Sequence, residues 1–344
     1  MSQTDVITLP KVLGKVPEVV MNLPGLIKGS RMSKITDTNT PLGLGVAFEK
    51  VAANNPDGLA VIYRDRRYTY RQFNAWANRI ADYLASIGLK KGDTVALDME
   101  NRPEFPATLI GCAKLGVCAA LINTSQKGKV LTHSFNLVKP KAAIIGQELV
   151  EVIQEVRDHL DLKENFFYFA DQDTLADPGT APEGFTNLAA AIQGCSSENP
   201  ESTHQTFLRD PLFYIYTSGT TGMPKAVMVS HDNIYFEANT VMNLISDVVG
   251  NGQDIDGNAC QEERLISYLP LSHVAGMMVD IICPVALTAN PRNGSYTSVA
   301  FARPYDLKIG TLKNTLQAVQ PTMFIGVPRV WEKMAAAMQC EAAW

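Results

Sequence analysis

From Leu59 onward, short apolar runs alternate with amphipathic segments, and this alternation constrains the fold more than any other feature of the chain. The runs Thr94–Met99, Val117–Ile122 and Ala142–Ile145 predict strands, because each is short, apolar and bounded by polar turns. The segments near Glu104–Leu115 and Val130–Leu137, which lie between these runs, have helical periodicity. Strands that alternate with helices build parallel sheets covered on both faces. We therefore predict an α/β fold with doubly wound, mostly parallel sheets.

A hairpin and a helix are predicted ahead of these units. The runs Leu59–Tyr63 and Tyr68–Tyr70 are joined by a charged turn, Arg64–Arg67. The helix that follows is expected to stop at Gly88, because glycine commonly ends helices. Its apolar face comprises Phe73, Trp76, Ala77, Ile80 and Leu84.

The second half of the chain resumes the alternation after a polar stretch. Residues Asp171–Asp210 are rich in Pro, Gly, Ser and acids, which predicts a surface connection with one short helix near Leu188–Ile192. Further strands and helices are expected beyond it: strands Leu212–Tyr216, Ala226–Val229 and Leu265–Tyr268, a helix capped by Ser230 or Asp232, and a helix from Pro328.

Charge, cysteine content and hydropathy exclude several classes of protein. A formal net charge of −5 over 344 residues gives no overall basic field for nucleic acid or an anionic bilayer. The six cysteines form no CxxC pair or zinc-type cluster, so we interpret them as reduced thiols, with Cys118 in the core. The apolar tract Val274–Ala289 is interrupted by Asp280 and Pro284 and is shorter than the ~20 residues of a membrane span. We predict a cytoplasmic protein.

Residues 1–40 differ in pattern from the rest. Apolar residues are interleaved there with lysine and arginine, and Pro10, Pro17 and Pro24 would interrupt a long helix. Two interpretations remain open: a segment peripheral on a membrane surface, or an arm packed on its own domain. We treat residues 1–40 as an N-terminal arm and residues 41–344 as a large domain.

A polar loop separates two of the predicted strands. It consists of Thr217, Ser218, Gly219, Thr220, Thr221, Gly222, Met223, Pro224 and Lys225. The glycines let backbone amides turn toward an anion, the hydroxyls can donate to phosphate oxygens, and Lys225 adds a positive charge. Because Met223 and Pro224 separate Gly222 from Lys225, the loop is not a Walker A motif. Composition alone leaves two interpretations, a phosphate cradle and an ordinary surface turn.

This loop resembles the signature loop of the adenylate-forming superfamily, which includes acyl-CoA synthetases, luciferases and peptide-synthetase adenylation domains. Other segments are similar to that superfamily in the same order: Tyr68-Thr69-Tyr70 with Phe73, Lys114-Leu115-Gly116, and Tyr268-Leu269-Pro270-Leu271-Ser272-His273. The stretch from Met99-Glu100-Asn101-Arg102-Pro103-Glu104-Phe105 through Leu121–Thr124 resembles the fatty-acid transport proteins. The stretches Ala226–Asn233 and Gly326–Lys333 resemble bubblegum-type long-chain acyl-CoA synthetases.

The resemblance implies a long- or very-long-chain fatty acid–CoA ligase that uses ATP, Mg²⁺ and coenzyme A. It implies that Thr217–Lys225 hold the β- and γ-phosphates of ATP. It also implies that His273 lies where ATP and the acyl pocket meet, and the apolar residues near His273 are candidates for an acyl tunnel: Val274, Met277, Met278 and Ile281. Two structural interpretations stay open, namely that His273 caps the helix beginning near Val274 and that His231 has a packing role. No catalytic residue and no metal ligand is assigned.

The superfamily has later segments that are not found in the sequence. They include the acidic residue that helps to hold magnesium, the aspartate that binds the ribose of ATP, and the small C-terminal domain. We therefore expect an N-terminal part of such a ligase, with an incomplete large domain that is inactive alone and has uncovered apolar edges. Two alternatives are a non-catalytic nucleotide- or lipid-binding remnant and an adenylating enzyme for another carboxylate, such as an aryl acid or an amino acid.

Overall fold

The computed structural model describes residues 37–170, 181–217, 222–245, 249, 258–289, 295–303 and 311–341. The strands, numbered in chain order, are β1 (Leu59–Tyr63), β2 (Arg66–Thr69), β3 (Thr94–Asp98), β4 (Cys118–Leu121), β5 (Ala142–Gly146), β6 (Phe166–Phe169), β7 (Thr186–Asn187), β8 (Pro211–Thr217), β9 (Lys225–Ser230), β10 (Glu262–Ser267) and β11 (Tyr296–Phe301). The helices are α1 (Leu44–Asn54), α2 (Tyr70–Ser86), α3 (Glu104–Leu115), α4 (Gly128–Leu137), α5 (Val150–Val156), α6 (Leu188–Ala191), α7 (His231–Ile245), α8 (Val274–Met277), α9 (Cys283–Ala289), α10 (Leu312–Val319) and α11 (Pro328–Glu341).

These strands form two sheets. The seven-stranded sheet has the order β7-β6-β5-β3-β4-β8-β9, and its neighbours are parallel except for the antiparallel pair β8–β9. The four-stranded sheet has the order β10-β11-β1-β2, in which β10, β11 and β1 are parallel and β2 is antiparallel. Strands β3, β4 and β5 are buried along their whole length, as parallel strands covered on both faces should be. The predicted α/β class is confirmed.

Helix α3 is buried from end to end, including Glu104 and Lys114. A helix that is buried on every side is surrounded by other elements, and α3 packs closely against α2. Gly111 allows this approach, because a Cβ atom at that position would lie 2.9 Å from the carbonyl oxygen of Ala77. The two helices thereby form an internal layer of the core.

The predicted hairpin and the helix after it are confirmed as β1–β2 and α2, but the turn between the strands is shorter than the predicted Arg64–Arg67. Strand β2 begins at Arg66 because Arg64, at a φ of 56°, turns the chain within two residues. Helix α2 starts with a capping box in which Thr69 and Gln72 exchange side-chain and backbone hydrogen bonds. It ends at Ser86, two residues before Gly88, which has a φ of 90°.

In the second half, several boundaries differ from the predictions. The connection before β8, of which residues 181–210 are described, contains helix α6 as predicted, but Thr186–Asn187 also forms strand β7 beside β6. Strand β10 begins earlier than predicted, at Glu262. Ser230 rather than Asp232 caps α7, because the backbone N–H of Asn233 donates to Ser230 Oγ at 3.2 Å.

Of the predicted N-terminal arm, residues 1–36 lie outside the described part of the chain. Within the described part, no helix is long and apolar enough to cross a bilayer.

Candidate functional site

The carboxyl ends of three neighbouring parallel strands lie side by side in the seven-stranded sheet. Strand β3 ends at Asp98, β4 at Leu121 and β8 at Thr217, and the register pairs Leu97 with Leu121 and Leu121 with Ile215. Ligands of open α/β sheets bind outside the carboxyl ends of the strands. The polar loop that follows β8 therefore starts at the edge where a binding site is expected.

Both ends of this loop are fixed by the antiparallel pairing of β8 with β9. Thr217 and Lys225 are partners across the pair, and both are exposed. Gly222 has a φ of 83°, a left-handed conformation that favours glycine, and Met223 and Pro224 lead from it into β9. Four further predicted phosphate-binding residues lie outside the described residues: Ser218, Gly219, Thr220 and Thr221.

Helix α4 contacts both sides of the β8–β9 hairpin, close to the loop that joins these two strands. A ring nitrogen of His133 lies 3.0 Å from the carbonyl oxygen of Pro224, and the Tyr216 hydroxyl donates to the carbonyl oxygen of Ser134 at 2.7 Å. Burial raises the pKa of Tyr216, which keeps its hydroxyl protonated as a donor. The sequence predicted α4 from its periodicity, but no motif marked His133 and Ser134 as supports of the loop.

A cavity of about 530 Å³ lies between α4 and the β8–β9 hairpin. It is lined by His133, Leu137, Val138, Lys139, Tyr214, Met223, Pro224, Lys225 and Ala226. The last residues of the loop thus form one wall of an open, partly cationic cavity.

His273 is exposed and caps α8, as the structural interpretation predicted. Its Nδ1 accepts a hydrogen bond from the backbone N–H of Ala275 at 3.2 Å. Because Nδ1 is the acceptor, a neutral His273 carries its proton on Nε2, which is the nitrogen left to act as a donor. Of the candidate tunnel residues, Met277 and Ile281 are buried in the core, whereas Val274 is exposed. The acyl tunnel stays a prediction.

Two other residues discussed from the sequence have structural roles. His231 is buried and its Nδ1 accepts from the backbone N–H of Leu44 at 3.1 Å. Burial lowers the pKa of His231 to about 4, so the ring is neutral and joins α7 to α1. Cys118 is buried in β4, and burial raises the pKa of its thiol to about 12, which confirms its place in the core.

A polar network fills the crevice beyond β3 and β5. The chain leaves β3 toward β4 and leaves β5 toward β6, so this crevice is a topological switch point. The backbone N–H of Glu100 donates to Glu148 Oε1 at 2.8 Å, and Arg102 donates to the carbonyl oxygen of Phe169 at 3.0 Å. Arg102 and Glu148 also form an ion pair at 3.4 Å. These contacts fix the loop between β3 and α3.

The same loop contacts the segment that leads to His273. Asn101 Oδ1 accepts from the backbone N–H of Leu271 at 3.0 Å, and Asn101 Nδ2 donates to the carbonyl oxygen of Leu269 at 2.6 Å. The structure thereby joins two segments that the sequence placed in separate motifs. Asn101 stood in one of those motifs without a role, because a contact across 170 positions leaves no local signal.

Among the described residues, no group of three or more His, Cys, Asp and Glu side chains is arranged to hold a metal ion.

Comparison with known proteins decides the family. Residues 48–343 match the sequence model described as AMP-binding enzyme. The chain belongs to this family. The match covers most of the AMP-binding chain and includes every element from β1 to α11.

Curated relatives of this AMP-binding chain are named for fatty acids. The chain is 29% identical to the medium/long-chain fatty acid–CoA ligase FadD6 of Mycobacterium tuberculosis, over 78% of this chain and 40% of the relative. It is 35% identical to human long-chain fatty acid transport protein 1, over 55% of this chain and 29% of the relative. It is 30% identical to the bovine long-chain fatty acid–CoA ligase ACSBG1, over 80% and 36%. The AMP-binding chain thus spans well under half the length of these relatives.

Solved structures agree on the fold. The N-terminal domain of FACL13 from Mycobacterium tuberculosis has a TM-score of 0.58 at 26% identity, covering 79% of this chain and 60% of that one. An anthranilate–CoA ligase, AuaEII, in complex with anthranoyl-AMP has a TM-score of 0.64 at 22% identity, covering 81% and 49%. The second likeness concerns the fold alone.

Proposed function

We propose that the chain carries the ATP-phosphate-binding part of a long- or very-long-chain fatty acid–CoA ligase. The observation that carries the proposal is the signature loop, which leaves the carboxyl end of β8 within a chain of the AMP-binding enzyme family. Relatives that are named for long-chain fatty acids support the acyl substrate. The large domain is proposed to extend over residues 41–344, and the activity belongs to the complete protein.

The proposed reaction has two steps. A carboxylate oxygen of the fatty acid attacks the α-phosphorus of ATP, and the bond from that phosphorus to pyrophosphate breaks. The thiol of coenzyme A then replaces AMP on the acyl carbon and loses its proton. Positioning and electrostatic stabilisation can drive such a transfer, since both reactants are anions.

The loop is proposed to supply the positive potential for the first step. Lys225 provides a charge at the start of β9, and the hydroxyl of Thr217 lies opposite it at the end of β8. The left-handed conformation of Gly222 would turn main-chain N–H groups of the loop toward the phosphates, so that they donate to phosphate oxygens. His273 would donate from Nε2 to an oxygen of the bound adenylate, since Nδ1 already accepts from Ala275.

Mg²⁺ is proposed to arrive with ATP rather than in a protein cage. Mg²⁺ retains several waters and is commonly held by substrate phosphates with one or two carboxylates.

A cytoplasmic location and peripheral membrane contact through residues 1–40 are also part of the proposal. Five of the six cysteines, namely Cys112, Cys118, Cys195, Cys260 and Cys283, are free, which suits a reducing compartment. The interleaved lysines and apolar residues of the arm suit an anionic interface.

The test combines calorimetric titration of the chain with ATP and Mg²⁺ and an assay, on the complete protein, of pyrophosphate release with palmitate. Lys225→Ala should weaken ATP binding about tenfold or more, as expected when a charged hydrogen bond is lost. Lys139→Ala is the matched control, because Lys139 lines the same cavity but lies outside the loop. Absence of ATP binding in the parent, or equal losses in both variants, would contradict the loop's role.

Two outcomes separate the alternatives. ATP binding by the chain, without pyrophosphate release from any acid by the complete protein, would favour a non-catalytic nucleotide-binding module. Release with anthranilate but not with palmitate would favour an adenylating enzyme for aryl acids, the class to which the AuaEII structure belongs by its name.

A further inference from the structure

Asn101 connects the carboxyl ends of the two sheets. It lies in the loop after β3 of the seven-stranded sheet, and its contacts lie at the last residue of β10 of the four-stranded sheet and just after it. Its Oδ1 accepts from the N–H of Leu271 at 3.0 Å, while its Nδ2 donates to the carbonyl oxygen of Leu269 at 2.6 Å and to Ser267 Oγ at 3.3 Å. The carboxamide thus uses its acceptor and both donor hydrogens on one segment.

The backbone on both sides of Asn101 is anchored, so the carboxamide is held in place. On one side, Glu100 donates its N–H to Glu148. On the other side, the buried guanidinium of Arg102 donates to the carbonyl oxygen of Phe169. Asn101 itself is 9% exposed. Its side chain therefore contacts the segment from a rigid support, which is what a positioning group requires.

The contacts of Asn101 continue into the helix that His273 caps. The hydroxyl of Ser267, which accepts from Asn101, also hydrogen bonds to Asp280. Asp280 is buried in the π-helical turn Met278–Ile282, which continues directly from α8. A π-helical turn inside an α-helix often marks a functional site. The segment that contains His273 is therefore fixed by two sets of contacts. One comes from Asn101 in the loop after β3, and the other comes from Asp280 in the helical stretch that follows α8.

The turn between these supports carries His273. The backbone N–H of His273 donates to the carbonyl oxygen of Pro270 at 3.0 Å, and Pro270 lies between the two residues that Asn101 binds. Fixing Leu269 and Leu271 therefore fixes the start of the turn, and the cap on Ala275 fixes its end.

We propose that Asn101 is a positioning residue that sets the orientation of His273 toward the bound acyl-adenylate. The inference rests on the proposed function for the ligand, although its structural part can be tested without it. Loss of the carboxamide would release the turn, let the His273 ring rotate, and weaken binding of the adenylate because the ring must then be ordered on binding.

The first measurement is hydrogen exchange at the amide of Leu271, whose acceptor is Asn101. In Asn101→Ala, exchange should accelerate by about tenfold or more, since a buried donor loses its partner. The matched control is Asn78→Ala, because Asn78 is also buried and also donates to a backbone carbonyl, that of Ser197 at 2.8 Å, but lies on α2. The control should leave Leu271 unchanged.

The second measurement reads His273 directly. The chain has five histidines, so a protein labelled with ¹⁵N-histidine gives few ring signals, and His273→Asn identifies the one of interest. We expect a predominant Nε2–H tautomer in the parent and a shift toward a tautomeric mixture in Asn101→Ala. Asn101→Asp, which keeps the acceptor and the volume but removes both donors, should give an intermediate result and serves if the alanine variant does not fold.

The third measurement is binding of palmitoyl-sulfamoyl-adenosine, a stable acyl-adenylate analogue. Binding should weaken by about tenfold in Asn101→Ala and remain unchanged in Asn78→Ala. Faster exchange at Leu271 with an unchanged His273 signal would overturn the positioning role. Failure of the parent to bind the analogue would count against the proposed function, while the exchange and tautomer measurements would still decide whether Asn101 orients His273.

Discussion

The ammonium group of Lys114 lies 2.7 Å from the carboxylate of Glu49, and the side chains are 0% and 9% exposed, respectively. The pair joins α3 to α1 within the core. Burial lowers the pKa of Lys114 to about 8, although the nearby carboxylate of Glu49 opposes this shift. Such a pair is tolerated in the core because each charge compensates the other at a place where water does not solvate them.

Removing one member of this pair should be more harmful than removing both. Glu49→Gln leaves an uncompensated cation in the core and should lower the free energy of unfolding by about 3–5 kcal/mol. The double variant Lys114→Met/Glu49→Leu should recover much of that loss. Urea denaturation of the parent, the single variant and the double variant measures both effects, and a single-variant loss below ~1 kcal/mol would contradict them.

The same lysine should make stability depend on alkaline pH. Since the pKa of Lys114 falls to about 8 on folding, the unfolded chain binds the proton more tightly between pH 8 and its ordinary pKa of 10.5. The contribution of Lys114 therefore stabilises the folded state increasingly as pH rises through that window. The difference in unfolding free energy between the parent and Lys114→Met should change there and stay constant from pH 6 to pH 7.

Strand β3 follows Asp93 and ends at Asp98, and the pKa values of these two aspartates shift in opposite directions. Burial, together with the negative charge of Glu148, raises the pKa of Asp98 to about 8. The folded state then binds this proton more tightly than the unfolded chain, so stability falls as pH rises from about 4 to about 8. Asp98→Asn should therefore raise the free energy of unfolding at pH 8 by roughly 2–4 kcal/mol, with the gain disappearing near pH 4.

Asp93 provides the control at the other end of the strand. Burial alone would raise the pKa of Asp93, but hydrogen bonds from Lys141 and from the N–H of Lys90 outweigh it and lower the pKa. Its contribution is present above about pH 4 and is lost as pH falls further. Asp93→Asn should thus destabilise the protein at neutral pH, by up to about 1 kcal/mol for this partly exposed pair. Two variants with the same sign at pH 8 would refute the assignment.

The local parts of the fold could be predicted from the sequence. Periodicity predicts helix α3 near Glu104–Leu115, and the structure gives it those bounds, with Glu104 in the first turn and a left-handed Gly116 at the C-cap. Strand β7 was missed, because Thr186 and Asn187 have no apolar pattern and form a strand only by pairing with β6. Strand pairing is a tertiary effect, which local propensity does not contain.

The candidate site was predictable to the extent that it depends on one continuous segment. The loop around Lys225 could be recognised from nine consecutive residues, and its place between two strands is confirmed. The supports from His133 and Asn101 could not be recognised, since their partners lie 91 and 170 positions away. Contacts of this kind follow from sheet order rather than from motifs.

The hydroxyl of Tyr216 should matter for ATP binding through the loop it supports. Tyr216→Phe removes the donor to Ser134 and leaves the carbonyl oxygen of this buried residue without that partner, at a cost of about 1 kcal/mol. We expect a few-fold weaker ATP affinity in calorimetry. Tyr214→Phe is the control, since Tyr214 lies two residues earlier in β8 and lines the cavity. Equal losses in both variants would assign the effect to the cavity rather than to the anchored loop.

Strand β9 should govern self-association. It is the last strand at one edge of the described seven-stranded sheet, and two adjacent residues within it, Val227 and Met228, are 46% and 54% exposed. Successive residues of a strand point to opposite faces, so both faces of this edge present apolar surface. Val227→Lys should reduce light scattering on concentration and increase the monomer fraction in size-exclusion chromatography, because an edge lysine opposes strand addition. The exposed Leu137 on α4 provides the control, since Leu137→Lys changes the same charge away from the strand. If Leu137→Lys were equally effective, net charge rather than the edge of β9 would control association.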